Sequence, residues 1–150
     1  MLEGRPLLDL GTGDGQTLAA LVDPGGLVVG VDRTIDLLRP GDVNAEADRL
    51  PFSDQSFATV LAADLFHHLD DERLALVLTE ISRVLEPQGL LVAWWYEQPG
   101  RDAPDAPRYP RAYSVGAAAA GAAGFNSVSE LALRNTMDAG PPTVGVVARV

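Results

Sequence analysis

Pro6-Leu7-Leu8-Asp9-Leu10 runs directly into Gly11-Thr12-Gly13-Asp14-Gly15, and that junction decides the fold. A short apolar run halted by a glycine-rich turn is the pattern of a parallel strand buried on both faces. Working outward, Leu18, Ala19, Leu21 and Val22 recur at helical spacing until Pro24-Gly25-Gly26 ends the helix. Residues 27–31 repeat the apolar run and stop at Asp32. Residues 34–39 permit only a short helix before Pro40-Gly41, and 42–47 form a weak third strand. A fourth strand covers 57–63. Residues 70–85 carry the strongest helical pattern, with Leu74, Val77, Leu78, Ile81, Val84 and Leu85 in one apolar stripe. Asp70, Asp71 and Glu72 stand at its positive dipole end. Pro87-Gln88-Gly89 closes it, and 90–96 give a fifth strand.

The remainder breaks the alternation. Pro99, Pro104, Pro107 and Pro110 mark a long surface loop over about 98–111. Residues 112–124 are helix-prone, although Gly116 and Gly121 weaken them. Two final strands, 131–134 and 144–150, follow with no helix between them. Alternating strands and helices require right-handed crossovers, so the sequence predicts an α/β, Rossmann-like, doubly wound sheet of seven strands. It is mostly parallel, with an antiparallel C-terminal edge strand and helices on both faces. Length favours one domain over 1–150. Ligands of such sheets sit at the carboxyl ends of the strands, near the switch point.

Composition excludes several chemistries. The 150 residues contain no Cys, so thiol nucleophiles and thiolate metal sites are out. All 11 basic residues are Arg, which removes lysine Schiff-base chemistry. A net charge of −10 argues against nucleic acid as a partner. No apolar run reaches membrane-spanning length, and the first residues lack a signal peptide's sections. These features set the expectation of a cytoplasmic protein without a membrane span.

The glycine loop departs from the dinucleotide fingerprint, because Gly15 comes one position early, and it carries Asp9 and Asp14. Carboxylates repel a pyrophosphate and attract a sulfonium or ammonium. The loop therefore suits a cationic nucleoside, or else is a structural turn. Asp32, 17 residues beyond Gly15 at the end of the second strand, is placed to accept both ribose hydroxyls. Its alternative is a helix N-cap, made by Asp32 or Thr34.

The ordered set of Asp9-x-Gly11-x-Gly13-x-Gly15, Gly30-Val31-Asp32, Ala47-Asp48-Arg49-Leu50-Pro51-Phe52, Phe66-His67-His68-Leu69-Asp70 and Val84-Leu85-Glu86-Pro87-Gln88-Gly89 resembles class I S-adenosylmethionine-dependent methyltransferases. The likeness is to the group acting on small molecules and quinone precursors, and runs from about residue 6 to 96. It implies S-adenosyl-L-methionine as cofactor and S-adenosyl-L-homocysteine as product. It further implies that Asp9, Gly11, Thr12 and Gly13 line the methionine end. Asp32 would hold the ribose and Glu46 the adenine amino group, with the Ala47 N–H facing the ring. Leu50 would pack on adenine, and Ala63 and Asp64 would flank the methionine. Arg33 either stacks on adenine or is solvated.

Methyl transfer needs a base only when the acceptor keeps its proton, and His67 or His68 can serve as that base or simply pack the next helix. No metal ligand set is evident. One of Trp94, Trp95 and Tyr96 can face an acceptor, and Tyr109 and Tyr113 either form a lid or anchor the loop. The resembling group carries helices ahead of its first strand, and here about five residues stand there. The sequence thus predicts a minimal methyltransferase whose acceptor site is open, is covered by residues 99–124, or is covered by a partner; the partners expected are a small-molecule substrate or another protein, with a homodimer as a further expectation. The alternative is a non-catalytic cofactor-binding or partner protein.

Overall fold

The computed structural model describes residues 6–15, 26–96, 109, 113–132 and 143–150. The helix predicted over 18–22 and most of the proline-rich loop fall outside these residues. Strand β1 (Leu7–Leu10) lies inside the sheet, with Leu8 and Leu10 fully buried. It pairs in parallel with β2 (Val28–Asp32) on one side and β4 (Phe57–Ala63) on the other. Strand β3 (Val43–Asn44) extends the β2 side by two residues, far shorter than the predicted 42–47. The predicted helix over 34–39 is a single 3-10 turn, Ile35–Leu37, that buries nothing.

Beyond β4 lie β5 (Leu85–Tyr96), β7 (Thr143–Arg149) and β6 (Ser127–Ala132), giving the seven-stranded order β3-β2-β1-β4-β5-β7-β6. The C-terminal strand β7 runs antiparallel to both neighbours, so the antiparallel pairing predicted at this edge is present, with β6 outermost and β7 inserted between it and β5. Chain order reverses at the β1–β4 boundary, so a crevice opens there at the strands' carboxyl ends.

Helix α1 (Asp71–Val84) follows from its stripe. Leu74, Val77, Leu78, Ile81 and Val84 are all buried, each contributing roughly 1.5–3 kcal/mol before entropy is counted. Asp70 caps it by accepting the Arg73 N–H at 2.8 Å. Helix α2 (Tyr113–Ala122) packs beside α1 and against β6 and β7. Its Gly116 is forced by the core, because a Cβ there would stand 2.5 Å from the ring of fully buried Trp95.

Two boundaries differ from expectation. The fifth strand begins at Leu85, not 90: Leu85 turns extended and pairs with Phe57, ending the helix before Pro87 is reached. The Pro87-Gln88-Gly89 turn is absorbed as an irregularity in register between Phe57 and Thr59, with Gln88 at φ +66°. The sixth strand is Ser127–Ala132, not 131–134. Its apolar residues cluster late, but backbone pairing from Ser127↔Arg149 onward starts the ladder regardless of side chain. Among the described residues no helix is long and apolar enough to cross a membrane.

A cleft at the carboxyl ends of β1, β2 and β4

The glycine loop hangs on β2. Gly11 and Thr12 N–H groups both donate to the Val31 carbonyl, at 2.8 and 3.0 Å. Gly13, at φ +53°, donates its N–H to Asp32 Oδ2 at 3.0 Å, and no atom lies within 4 Å of where its Cβ would stand. Backbone here faces open space, which lets a ligand approach closely. Asp32 Oδ1 accepts the Thr34 N–H at 2.8 Å, while Thr34 makes no side-chain cap of its own. Two backbone donors thus fix the Asp32 carboxylate, and each oxygen keeps accepting capacity toward the cleft.

Behind the loop sits a braced polar cluster. Asp9 is 2% exposed and accepts the Thr12 hydroxyl at 2.6 Å. Burial raises its pKa, against the lowering effects of that bond and of Arg39. Arg39 donates to Asp42 through Nε at 3.1 Å and reaches Thr12 Oγ1 through Nη2 at 3.5 Å. Burial pushes Asp42 up, but Arg39 and the Gly30 N–H hold it below the usual carboxylate range.

The opposite wall is the segment 45–47, tied down by α1. Asn44 Nδ2 donates to the carbonyls of Asp32 and Arg33, both at 3.0 Å. Arg73, in the first turn of α1, donates to Glu46 Oε2 at 2.9 Å and to Asp48 Oδ2 at 2.8 and 3.1 Å. These bonds raise its pKa, the one to Glu46 first. Farther on, Glu80 accepts the Leu50 N–H at 2.8 Å. Arg83 donates to the carbonyls of Leu50 and Phe52, at 3.1 and 2.8 Å, so α1 also anchors the Leu50-Pro51-Phe52 segment.

The end of β4 closes the site. Asp64 takes φ +53°, a strained conformation for a non-glycine residue, held by its N–H bond to the Trp94 carbonyl at 2.9 Å. Although Asp64 is open to solvent, the cleft walls desolvate its carboxyl and raise its pKa. His68 lines the cleft, whereas His67 beside it is 1% exposed.

The cleft encloses about 490 Å³, within the roughly 300–1,000 Å³ typical of small-ligand sites. Gly11, Thr12, Gly13, Asp32, Arg33, Glu46, Ala47, Ala63 and Asp64, all expected from the sequence, line it together. Asp9 and Leu50 do not: both are buried, Asp9 under the loop with Thr12 and Leu50 in the core. Trp95 is core, packed 5.5 Å from Phe66, and Tyr109 is an exposed loop residue whose N–H bonds the His67 carbonyl at 2.8 Å. The side chains of Tyr96 and Tyr113 lie outside the described residues. Sequence reasoning missed the lining residues Leu37, Ala45, Leu65 and Leu69, and among the charged ones it missed Arg73. Its signal was a cation in the first turn of a helix, unfavourable unless a carboxylate meets it. The cleft's polar lining, with the carboxylates Asp14, Asp32, Glu46 and Asp64 as acceptors around an exposed glycine backbone, fits a hydroxyl-bearing cationic nucleoside.

Comparison with known proteins agrees with this geometry. Residues 8–93 match the family described as Methyltransferase domain. The chain is 37% identical over 100 residues to YodH, an uncharacterized methyltransferase of Bacillus subtilis, covering 59% of this chain and 42% of that protein. It is 31% identical over 102 residues to the demethylmenaquinone methyltransferase of Corynebacterium kroppenstedtii, covering 64% and 44%. The chain therefore spans less than half the length of these curated relatives. Among solved structures, a SAM-dependent methyltransferase from Archaeoglobus fulgidus superimposes with a TM-score of 0.77 at 18% identity, over 99% of this chain and 87% of that one. The Burkholderia thailandensis 1,6-didemethyltoxoflavin-N1-methyltransferase, solved with 1,6-didemethyltoxoflavin and S-adenosylhomocysteine, gives 0.78 at 22% identity over 97% and 71%.

Proposed function

The chain belongs to the methyltransferase domain family, and from that premise we propose that it binds S-adenosyl-L-methionine in this cleft and passes the methyl group to a small-molecule acceptor. One observation carries the reading: Asp32, at the end of β2, is oriented by the Gly13 N–H, both line the cleft, and open space lies beside the Gly13 backbone. When bound, the cofactor supplies a methyl group activated by its sulfonium, so no covalent enzyme intermediate is required. What the protein contributes is alignment, worth up to roughly 7–11 kcal/mol when it is good.

In this reading Asp32 accepts the ribose hydroxyls with oxygens already pinned by backbone donors. Glu46, held by Arg73, accepts from the adenine amino group beside the Ala47 N–H. Gly11 and Gly13 cradle the methionine portion through bare backbone, and Asp14 and Asp64 favour its positive charge. Arg33 stands on the adenine side of the cleft mouth. The acceptor enters past Asp64 and His68, at the end of β4.

The relatives' acceptors, demethylmenaquinone and didemethyltoxoflavin, make flat aromatic compounds the first to try. Formation of S-adenosyl-L-homocysteine from S-adenosyl-L-methionine, measured over a panel of hydroxylated aromatics and N-heterocycles, tests the proposal. Acceptor-dependent product supports it. Cofactor binding with no acceptor-dependent product across the panel overturns the catalytic part.

A further inference from the structure

The turn after β4 holds a proton-handling pair that the reading above does not use. His67 and His68 are the chain's two histidines and sit in the 3-10 turn Phe66–His68. Neighbouring side chains usually diverge, yet here the two Nε2 atoms lie 3.1 Å apart, with ring centroids 4.3 Å apart and planes at 60°. One ring is fully buried and the other opens on the cleft. An N···N contact of this length needs one proton between the nitrogens, so one ring donates while the other accepts. Two imidazolium rings would set N–H against N–H and charge against charge. The pair can therefore take one added proton but not two.

The two rings face different surroundings. Among the described residues, the glycine loop presents Asp14 to the cleft, β2 and the residue after it present Asp32 and Arg33, and the 45–47 segment presents Glu46. The end of β4 presents Asp64, and α1 brings Asp70 at its cap and Arg73, whose charge is committed to Glu46 and Asp48. Behind the turn, β5 contributes the apolar Trp95 against Phe66, and Tyr109 bonds the His67 carbonyl. His67 is thus shut away from solvent, while His68 opens on a cleft lined by carboxylates.

We propose that His67 and His68 work as a one-proton acid–base unit, in which His68 exchanges a proton with the acceptor and His67 is a positioning residue that fixes the His68 ring through Nε2. The inference rests on the methyl-transfer reading and narrows its acceptor to one whose attacking atom carries a proton at neutral pH, a hydroxyl or phenol. The acceptor's O–H bond breaks, its electron pair stays on oxygen as the nucleophile, and the proton lands on the imidazole pair, which later returns it to water.

Nitrogen-15 NMR of the two ring systems in the unliganded full chain, between about pH 5 and 8, tests the shared proton directly. The expected result is one common midpoint reported by both rings, with uptake of a single proton. Two independent titrations, each near roughly 6.5, would overturn it. In His67→Gln, His68 should titrate alone at a displaced midpoint; an unchanged His68 curve overturns the positioning role. With catechol as probe acceptor, His68→Gln should lower kcat by about 100-fold or more while S-adenosylhomocysteine affinity holds. Equal kcat in His68→Gln and the unsubstituted chain overturns the base assignment. The titration is read without cofactor, so its failure is distinct from a failure to bind S-adenosylmethionine.

Discussion

Replacing Arg73 by Gln should weaken nucleoside binding while barely touching the fold. Arg73 makes its three bonds of 2.8 to 3.1 Å to carboxylates that are 51% (Glu46) and 21% (Asp48) exposed, and is itself 38% exposed. Solvent screens such pairs, so their loss costs about 0.2–1 kcal/mol of stability each. At roughly 2–4 °C per kcal/mol for a chain of this size, Tm should fall by only a few degrees. The effect on binding has another origin. Freed from Arg73, the Glu46 side chain must be immobilised on each binding event, at about 0.5–1.5 kcal/mol. That predicts a loss of roughly 2- to 12-fold in S-adenosylhomocysteine affinity, from the relation of about 1.4 kcal/mol per factor of ten. Calorimetry on the unsubstituted chain, Arg73→Gln, Glu46→Gln and the double variant completes a cycle. Because Arg73 acts through Glu46, the double variant should bind about as well as Glu46→Gln alone. Unchanged affinity in Arg73→Gln, or full additivity of the two losses, would refute the reasoning.

Gly13→Ala adds a methyl group that meets no protein atom but forces a left-handed alanine, costing about 1–2 kcal/mol. Its melting point should drop modestly, with a larger loss in S-adenosylhomocysteine affinity because the methyl stands in the cleft; equal affinity would show that nothing binds against that backbone. Asp9→Asn tests the buried acid. Because burial raises the folded-state pKa of Asp9, its stabilising contribution is complete below about 3.8 and is lost as pH rises through the folded value. The Asn variant should therefore gain on the unsubstituted chain as pH rises, and thermal melts showing the reverse trend contradict it. Arg83→Met strips donors from the Leu50 and Phe52 carbonyls and from Glu80 and Asp54. It should cost about 2–3 kcal/mol in chemical denaturation at pH 7. Its bond to Arg83 holds Glu80 below its usual range, so this deficit should narrow as pH falls below about 4.5, and a pH-independent deficit argues against the pairing.

Much of this architecture was legible in the sequence because burial there is one-sided or complete. Residues 57–63 form a run buried on both faces and emerge as β4 with the expected boundaries. The helix stripe from Leu74 to Val84 is likewise direct. What escaped is what pairing decides. Ser127 and Ser129 carry no strand signal, yet the β7 backbone beside them makes them strand. Likewise the Leu85–Phe57 pairing sets a helix end that Pro87 seemed to mark. The site divides in the same way. Glycine freedom and a carboxylate at a strand end are local, so Gly13 and Asp32 could be placed from spacing. Arg73 matters through residues 25 and 27 positions away, and Asp9 is buried by a loop that folds over it. Neither relation leaves a periodic trace.

The central claim is that the cleft at the β1–β4 switch point binds S-adenosylmethionine through Asp32. Calorimetric titration of S-adenosylhomocysteine into the full chain and into Asp32→Ala tests it most directly. The account predicts saturable one-to-one binding, weakened in the variant by about 1.5–3 kcal/mol, the worth of hydrogen bonds to a charged group, or roughly 10- to 150-fold. Absence of binding at millimolar ligand, or equal affinity in the two chains, would contradict it.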